Sequence, residues 1–172
     1  MRNYAFANLT ALQSVEFPST IAAISQYAFY GCSGLGRITI PTTILTASYQ
    51  SFASCTSLSS VIVEGKTNFI GNGPFSGDTG LKKFVCLSDT PFTVPATFPV
   101  SGCSYYVPYS VINSYKTATN WASFANSIFP LVSTTEDLIN IDTSAYTKAC
   151  VTGSDESYKE YTYDGNQWNE VI

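Results

Sequence analysis

Hydrophobic residues recur along the N-terminal part of the chain with a constant spacing of 23 positions. Within one unit, Val15 and Phe17 flank the polar Glu16, which is the alternation of a β-strand. Pro18 follows and should end the pairing, because proline has no backbone N–H to donate. The columns in register are Leu12, Leu35, Leu58 and Leu81; Val15, Ile38, Val61 and Phe84; Phe17, Ile40, Val63 and Cys86; Phe6, Phe29, Phe52, Phe75 and Phe98.

One unit of this kind cannot bury its own apolar face, so the repeat predicts a stack of coils. Stacked strands lie about 4.8 Å apart, and the phenylalanine column then becomes an aromatic ladder in the interior. We therefore expect a β-rich solenoid of 23-residue repeats over residues 1–108. The chain begins in the middle of a unit, with its core exposed at that end. We expect this end to be covered, by more of a parent protein or by a neighbouring subunit in a homo-oligomer.

Two stretches of the repeat resemble a known family. FPSTIAAISQYAFYGCSGL and IPTTILTASYQSFASCTSL are similar to the BspA-type leucine-rich repeats of gut and oral bacterial surface proteins, some parasites and associated phages. The resemblance covers residues 4 to about 108. It implies a leucine-rich-repeat solenoid used for adhesion and protein recognition. In the third copy Glu64 and Asp78 replace the proline and the cysteine, and the fourth copy runs long, so its regularity stays open.

A short helical cap is predicted at 109–131, after a last strand at 105–108. Ser110 is a candidate N-cap for a first helix, and Asn120 for a second helix that Pro130 would end. An open end of a repeat stack needs a cap, which is the structural interpretation of this segment. Alternatively, the aromatic side of the second helix docks a partner.

Residues 132–172 are more charged and richer in tyrosine, and they predict a small β appendage. YTYDGNQWNEV indicates a hairpin with a type I′ turn at Asp164–Gly165. The residues expected on its apolar face are Tyr161, Tyr163 and Trp168. Such a hairpin is also loosely similar to modules of phage tail and fibre proteins. Two strands alone are marginally stable, so the hairpin needs further contacts.

The composition leaves little room for catalysis. The chain has no histidine, which excludes Ser-His-Asp and Cys-His arrangements, and it has no glycine-rich phosphate loop. We therefore expect no enzymatic activity, no cofactor and no metal. The acidic residues near the C-terminus could be calcium ligands, but they lack the spacing of a calcium site, which favours a solvated loop. They are Asp155, Glu156, Glu160 and Asp164.

Charge and hydropathy restrict the partners. The net charge is −4 with only 12% charged residues, which gives no electrostatic footprint for nucleic acid. No stretch approaches the roughly 20 apolar residues of a membrane span, so we expect no membrane insertion. The N-terminus shows no signal peptide, so the chain reaches its destination without one or is a fragment.

Five cysteines occur, an odd number without a Cys-x-x-Cys pair: Cys32, Cys55, Cys86, Cys103 and Cys150. Cys32 and Cys55 share one repeat column, and adjacent coils would place them at a distance that a disulfide tolerates. Cysteine is also a common buried small hydrophobe, which favours a ladder of free thiols beneath the turns.

The outward-facing strand positions offer a candidate partner-binding strip of Arg37, Ile62, Lys83 and Val85. Exposed Ile62 and Val85 would be unusual without cover. The alternative is that a loop or the C-terminal appendage covers them. The sequence thus predicts a non-enzymatic extracellular or cell-surface module that binds a protein or glycan on a cell surface through the solenoid face. A phage virion component, such as a fibre or a receptor-binding protein, is the alternative function.

Overall fold

The computed structural model describes residues 1–152 and 158–172. The strands are β1 (Ala23–Ile24), β2 (Arg37–Ile40), β3 (Thr46–Ala47), β4 (Ser60–Val63), β5 (Asn68–Phe69), β6 (Lys83–Cys86), β7 (Ser104–Pro108), β8 (Ile128–Val132), β9 (Lys148–Thr152), β10 (Tyr158–Tyr163) and β11 (Trp168–Glu170). One α-helix, α1, spans Ile112–Thr117. Short 3₁₀ helices span Tyr109–Val111, Ala122–Ser127 and Glu136–Asn140.

These strands form two sheets. The larger sheet has the order β11-β10-β9-β8-β7-β6-β4-β2, and the smaller has the order β1-β3-β5. All pairs from β2 to β9 are parallel, and only β9-β10 and β10-β11 are antiparallel. Arg37 pairs with Ser60, and Ser60 pairs with Lys83. Each partner is 23 positions further on, so the sequence period is the pairing register of the sheet.

A second set of backbone hydrogen bonds joins successive coils at the turns, and we call it the turn ladder. In it, N–H groups of one coil donate to carbonyls of the next: Tyr4, Phe6 and Asn8 to Gln26, Ala28 and Tyr30; Tyr27, Phe29 and Gly31 to Tyr49, Ser51 and Ala53; Gln50, Phe52 and Ser54 to Asn72, Pro74 and Ser76. The N···O distances are 2.7–3.3 Å. Within each coil the donating N–H groups lie two residues apart, and all of them point toward the next coil. Gly31, at φ 69°, provides one of the left-handed conformations that this arrangement needs.

The phenylalanine column forms the predicted aromatic ladder over four coils. Phe6, Phe29, Phe52 and Phe75 stack with centroid distances of 5.2, 5.4 and 5.6 Å and interplanar angles of 4–8°. Phe98, the fifth member, is buried but lies at 76° to Phe75. The stack therefore ends after the fourth coil, and Phe98 packs instead among the aromatic residues beneath α1 and the following 3₁₀ helix.

The cysteine column forms the predicted ladder of free thiols. All five cysteines are free and buried. The Cys32 thiol donates to the Phe6 carbonyl at 3.1 Å, and the Cys55 thiol donates to the Phe29 carbonyl at 3.2 Å. Burial raises the pKa of the Cys55 thiol far above its ordinary value. These thiols are weak hydrogen-bond donors of the core and not nucleophiles.

Asp78 occupies the cysteine column of the fourth coil and is 1% exposed. One carboxyl oxygen, Oδ1, accepts the N–H of Cys55 at 2.7 Å, whereas Oδ2 is buried without a partner among the described residues. Burial raises the pKa of this carboxyl to about 8, even though backbone N–H groups lower it.

The first predicted strand is absent. Residues 13–17 form no strand, and none of the described residues makes a backbone hydrogen bond to them. The side chains of Val15 and Phe17 still pack against the core, as the alternation predicts. This segment has a neighbouring coil on one side only, so apolar contact alone holds it. As a result, β2 is the edge strand of the larger sheet.

The predicted helical cap over 109–131 is partly wrong. A 3₁₀ turn and α1 do follow β7, but residues 128–132 form β8 and continue the sheet. Pro130 lies inside β8, where it pairs with Val107. The next strand, β9, pairs with β8 only from Leu131 onward, so position 130 is at the margin of the sheet, where the missing N–H costs little. Tyr105 of β7 pairs with Ile128 of β8, which is 23 positions further on. The helical segment between these strands therefore completes a coil with the length of one repeat.

Neither predicted helix cap forms. The N-cap residue of α1 is Val111, and no side chain makes a capping hydrogen bond there. Asn120 is left-handed, at φ 65°, and its side chain donates to the Val94 carbonyl at 2.8 Å. Burial fixes these helices instead: Tyr115 and Trp121 are fully buried, and the indole N–H of Trp121 donates to the Phe92 carbonyl at 2.9 Å.

The predicted C-terminal hairpin is confirmed, but its turn type is wrong. β10 and β11 pair with Tyr163 opposite Trp168, and these two rings lie 5.4 Å apart. The loop is longer than a type I′ turn at Asp164–Gly165 allows. Asp164 has a negative φ, and its carboxylate accepts the N–H groups of Asn166 and Gln167 at 2.9 and 3.0 Å. The hairpin extends the sheet of the repeats; the division of the chain into three domains stays a prediction.

Replacing Phe52 by alanine should remove the most enclosed ring of the stack. Phe52 is fully buried between two rings, so the Phe52→Ala change should lower the free energy of unfolding by about 3–5 kcal/mol. Phe6 belongs to the same column but is 41% exposed with one stacked neighbour. The Phe6→Ala control should therefore cost about 1–2 kcal/mol. Urea unfolding followed by circular dichroism measures both, and equal losses would contradict the ladder.

The Asp78 carboxyl should make stability depend on pH. Its pKa is raised from 3.8 to about 8 in the folded protein, so the folded state binds more protons than the unfolded state between these values. The free energy of unfolding should fall as pH rises through this window, by up to about 1.4 kcal/mol per pH unit. Asp78→Asn keeps the acceptor for Cys55 and should flatten the profile. Urea unfolding across this range tests it; parallel profiles would show that Asp78 is not the titrating group.

Candidate functional site

The predicted partner-binding strip lies on the outer face of the larger sheet, but most of it is covered. Arg37 is exposed, and Lys83 is partly exposed. Ile62 and Val85 are 5% and 0% exposed, so these two members of the strip are covered. They belong to a second apolar cluster that continues along the outer face through Tyr106, Leu131 and Cys150.

The start of β10 covers the second apolar cluster, and several contacts hold it there. Tyr158 packs against the second apolar cluster, and its carbonyl accepts the Lys83 ammonium at 2.8 Å. The hydroxyl of the buried Tyr106 donates to the Glu160 carboxylate, which also lies 3.9 Å from Lys83. The alternative that the C-terminal part covers Ile62 and Val85 therefore matches the structure. A partner-binding role for the four strip residues stays a prediction.

A group of exposed apolar side chains lies at the N-terminal end of the repeats. Tyr4, Phe6 and Leu9 are 57%, 41% and 46% exposed, which confirms that the core is exposed there. Beside them is a cavity of about 750 Å³. Its apolar lining includes Met1, Leu12, Val15, Phe17 and Ile21. Residues 13–17, which form no strand, make one wall of this cavity.

The same end presents a row of backbone acceptors. In the turn ladder, the accepting carbonyls of the second coil are those of Gln26, Ala28 and Tyr30. The equivalent carbonyls of the first coil, 23 positions earlier, are those of Asn3, Ala5 and Ala7. Within the described residues, no N–H donates to these three carbonyls. The end therefore combines exposed rings with acceptors spaced two residues apart.

A groove of about 470 Å³ adjoins this end at the free edge of β2. It is lined by Arg37 and Thr39 of β2, by Glu16 of the irregular first segment and by Glu64 after β4. Arg37, a member of the predicted strip, thus borders an open groove. The sequence indicated the exposed rings through the incomplete first unit. It gave no signal for the groove, because the failure of residues 13–17 to pair depends on tertiary contacts.

Nothing in the described part of the chain resembles a catalytic or metal centre. Among residues 1–152 and 158–172, no group of three histidine, cysteine, aspartate or glutamate side chains could hold a metal ion. The predicted acidic loop includes Asp155 and Glu156, which lie outside the described residues. Its other members have structural roles, Glu160 with Tyr106 and Asp164 in the hairpin turn. None of the described helices is long and apolar enough to cross a bilayer.

Comparison with known proteins agrees with the repeat architecture. A family model described as "BspA type Leucine rich repeat region (6 copies)" matches residues 1–98. This is more than half of the chain. It includes the exposed N-terminal end and all four stacked phenylalanines. No curated protein matches the chain. The chain therefore belongs to the BspA-type leucine-rich repeat family.

Proposed function

We propose that this protein is a leucine-rich-repeat solenoid that serves as a non-catalytic adhesion module, displayed at a cell surface, and that it binds a partner protein at its N-terminal end. The observation that carries the proposal is the coincidence of exposed rings and unpaired acceptors at this end. The family supports it at a coarser level, since BspA-type repeats are generally surface-associated protein-interaction repeats.

The backbone acceptors favour a polypeptide over a glycan. The carbonyls of Asn3, Ala5 and Ala7 lie two residues apart, and their counterparts in the next coils accept N–H groups of the preceding coil. A polypeptide offers N–H donors at the same two-residue spacing. Within the protein, this spacing gives bonds of 2.7–3.3 Å between coils. A glycan would have to match it with hydroxyl groups on rigid rings.

The exposed rings are held in place before any partner arrives. Tyr4 stacks on Tyr27 with centroids 4.6 Å apart, and Phe6 stacks on Phe29 at 5.2 Å. A surface that is already ordered loses little conformational entropy on binding, which improves affinity. Tyrosine and other aromatic residues are also frequent anchors of protein interfaces. Arg37 and the groove beside it extend the same surface, whereas Ile62, Lys83 and Val85 lie under the C-terminal cover.

The test is a selection of peptides from a random display library on the immobilised chain of residues 1–172. Peptides enriched on the wild-type protein should bind a Tyr4→Ser, Phe6→Ser double variant at least about tenfold more weakly, because two central anchors are lost. Leu45→Ser is the matched control, since Leu45 is 58% exposed but lies outside this end. It should leave binding unchanged.

Three outcomes would overturn the proposal. The first is the absence of any enriched peptide. The second is binding that the double variant retains in full. The third comes from a glycan array run in parallel: saccharide binding that depends on Tyr4 and Phe6, without peptide binding, would identify a lectin and not a protein-binding module. Circular dichroism of both variants confirms that they are folded.

A further inference from the structure

The turn ladder stops at the fourth coil, although the chain continues into a further coil. By the 23-residue spacing, the donors of the fourth coil are the N–H groups of Gly73, Phe75 and Gly77. Gly73 donates to the side-chain oxygen of Thr97 at 2.8 Å and not to a backbone carbonyl. No group within residues 1–152 and 158–172 accepts the N–H of Phe75 or of Gly77. Two ladder donors are thus available at this point.

The ladder stops because the next turn folds differently. The N–H of Phe98 donates to the Pro95 carbonyl within its own coil, at 3.0 Å. The ring of Phe98 is also turned by 76° relative to Phe75, so it leaves the stack. The two coils separate here around a cleft of about 520 Å³. The polar residues that line the cleft include Gln50, Asn72, Ser76, Thr79, Thr97 and Ser101.

Asp78 adds a second, independent sign of a ligand site. It lines the cleft and is 1% exposed, and its Oδ2 is buried without a hydrogen-bond partner in the described chain. Its other oxygen accepts the backbone N–H of Cys55 at 2.7 Å. A buried polar atom without a partner costs free energy, so a ligand that supplies a hydrogen-bond partner stabilises the site.

We propose that this cleft is a peptide-binding site, in which a segment of another protein continues the turn ladder. Two carbonyls of the segment, two residues apart, accept the N–H groups of Phe75 and Gly77. A backbone amide group of the segment forms a hydrogen bond with Oδ2 of Asp78. The three earlier coils make the same kind of contact, since each of their donor pairs meets carbonyls two residues apart.

The lining of the cleft fits a peptide backbone better than a charged ligand. Apart from the buried Asp78, its lining contains amides, hydroxyls and small apolar groups and no charged side chain. A peptide bond is neutral and both donates and accepts, so it matches such a surface. The site is separate from the N-terminal end and does not depend on the proposed function there, because the two surfaces involve different coils.

The experiment uses a capped synthetic peptide with the sequence of residues 71–79. In the folded protein, the Pro74 and Ser76 carbonyls of this segment accept the N–H groups of Phe52 and Ser54 at 3.0 and 2.8 Å. The peptide is titrated into the isotope-labelled chain of residues 1–172 and followed by amide NMR. The Phe75 and Gly77 resonances should move and saturate. Those of Phe29 and Gly31, whose ladder partners are occupied, should not.

A pair of matched variants tests the location. Thr79 lines the cleft, and Thr56 is the exposed residue of the same column one coil earlier. The Thr79→Trp change should block the cleft and abolish the shifts, whereas Thr56→Trp should retain them. Absent shifts at Phe75 and Gly77, or shifts that persist in Thr79→Trp, would overturn the proposal.

Two further outcomes separate this site from the alternatives. If a neutral oligosaccharide such as maltopentaose shifts Phe75 and Gly77 and the peptide does not, the cleft binds sugar and the peptide proposal is wrong. If the peptide shifts only Tyr4 and Phe6, it binds at the N-terminal end. That result would overturn the cleft while supporting the proposed function.

Discussion

The turn ladder is the interaction on which the rest of the repeat stack depends. Each coil donates N–H groups to the next through bonds of 2.7–3.3 Å, and this fixes the step between coils. The step resembles the spacing of strands in a sheet, about 4.8 Å, which brings identical side chains into contact. The rings of the phenylalanine column therefore lie 5.2–5.6 Å apart and parallel, and the thiols lie beneath carbonyls of the preceding coil.

The ladder has a direction, and its two ends differ for that reason. Because every N–H donates toward the next coil, the first coil presents acceptors, at Asn3, Ala5 and Ala7. The coil where the ladder stops presents donors, at Phe75 and Gly77. The same polarity along a helix leaves donors at one end and acceptors at the other. The two surfaces proposed for binding are thus consequences of one bonding pattern, and each demands the complementary group from its partner.

The column residues could be predicted from sequence because each of them contacts its own repeats. Phe29 meets Phe6 and Phe52, and Cys55 donates to the Phe29 carbonyl, so a 23-residue period is enough to place them. Residues 13–17 match the strand columns but do not pair with the free edge of β2, which the period alone does not show. Pro130 is tolerated inside β8 because the pairing of β9 begins one residue later, which no local pattern reveals.

Long-range contacts explain what sequence could not predict of the candidate site. Ile62 and Val85 are buried because the chain returns at Tyr158, whose carbonyl binds Lys83 from 75 positions away. The alternation of β4 and β6 shows which face these residues occupy, but it says nothing about what covers that face. Likewise, Asp78 interrupts a cysteine column in the sequence, and only the structure shows that its second oxygen is buried beside a cleft.

Native-state hydrogen exchange, read residue by residue by NMR, tests the turn ladder most directly. We expect slow exchange at Phe29, Gly31 and Phe52, whose N–H groups are bonded to the next coil. Exchange should be much faster at Phe75 and Gly77, even though the ring of Phe75 is as buried as those of Phe29 and Phe52. Exchange at Phe75 as slow as at Phe29 would contradict the claim that the ladder stops at the fourth coil.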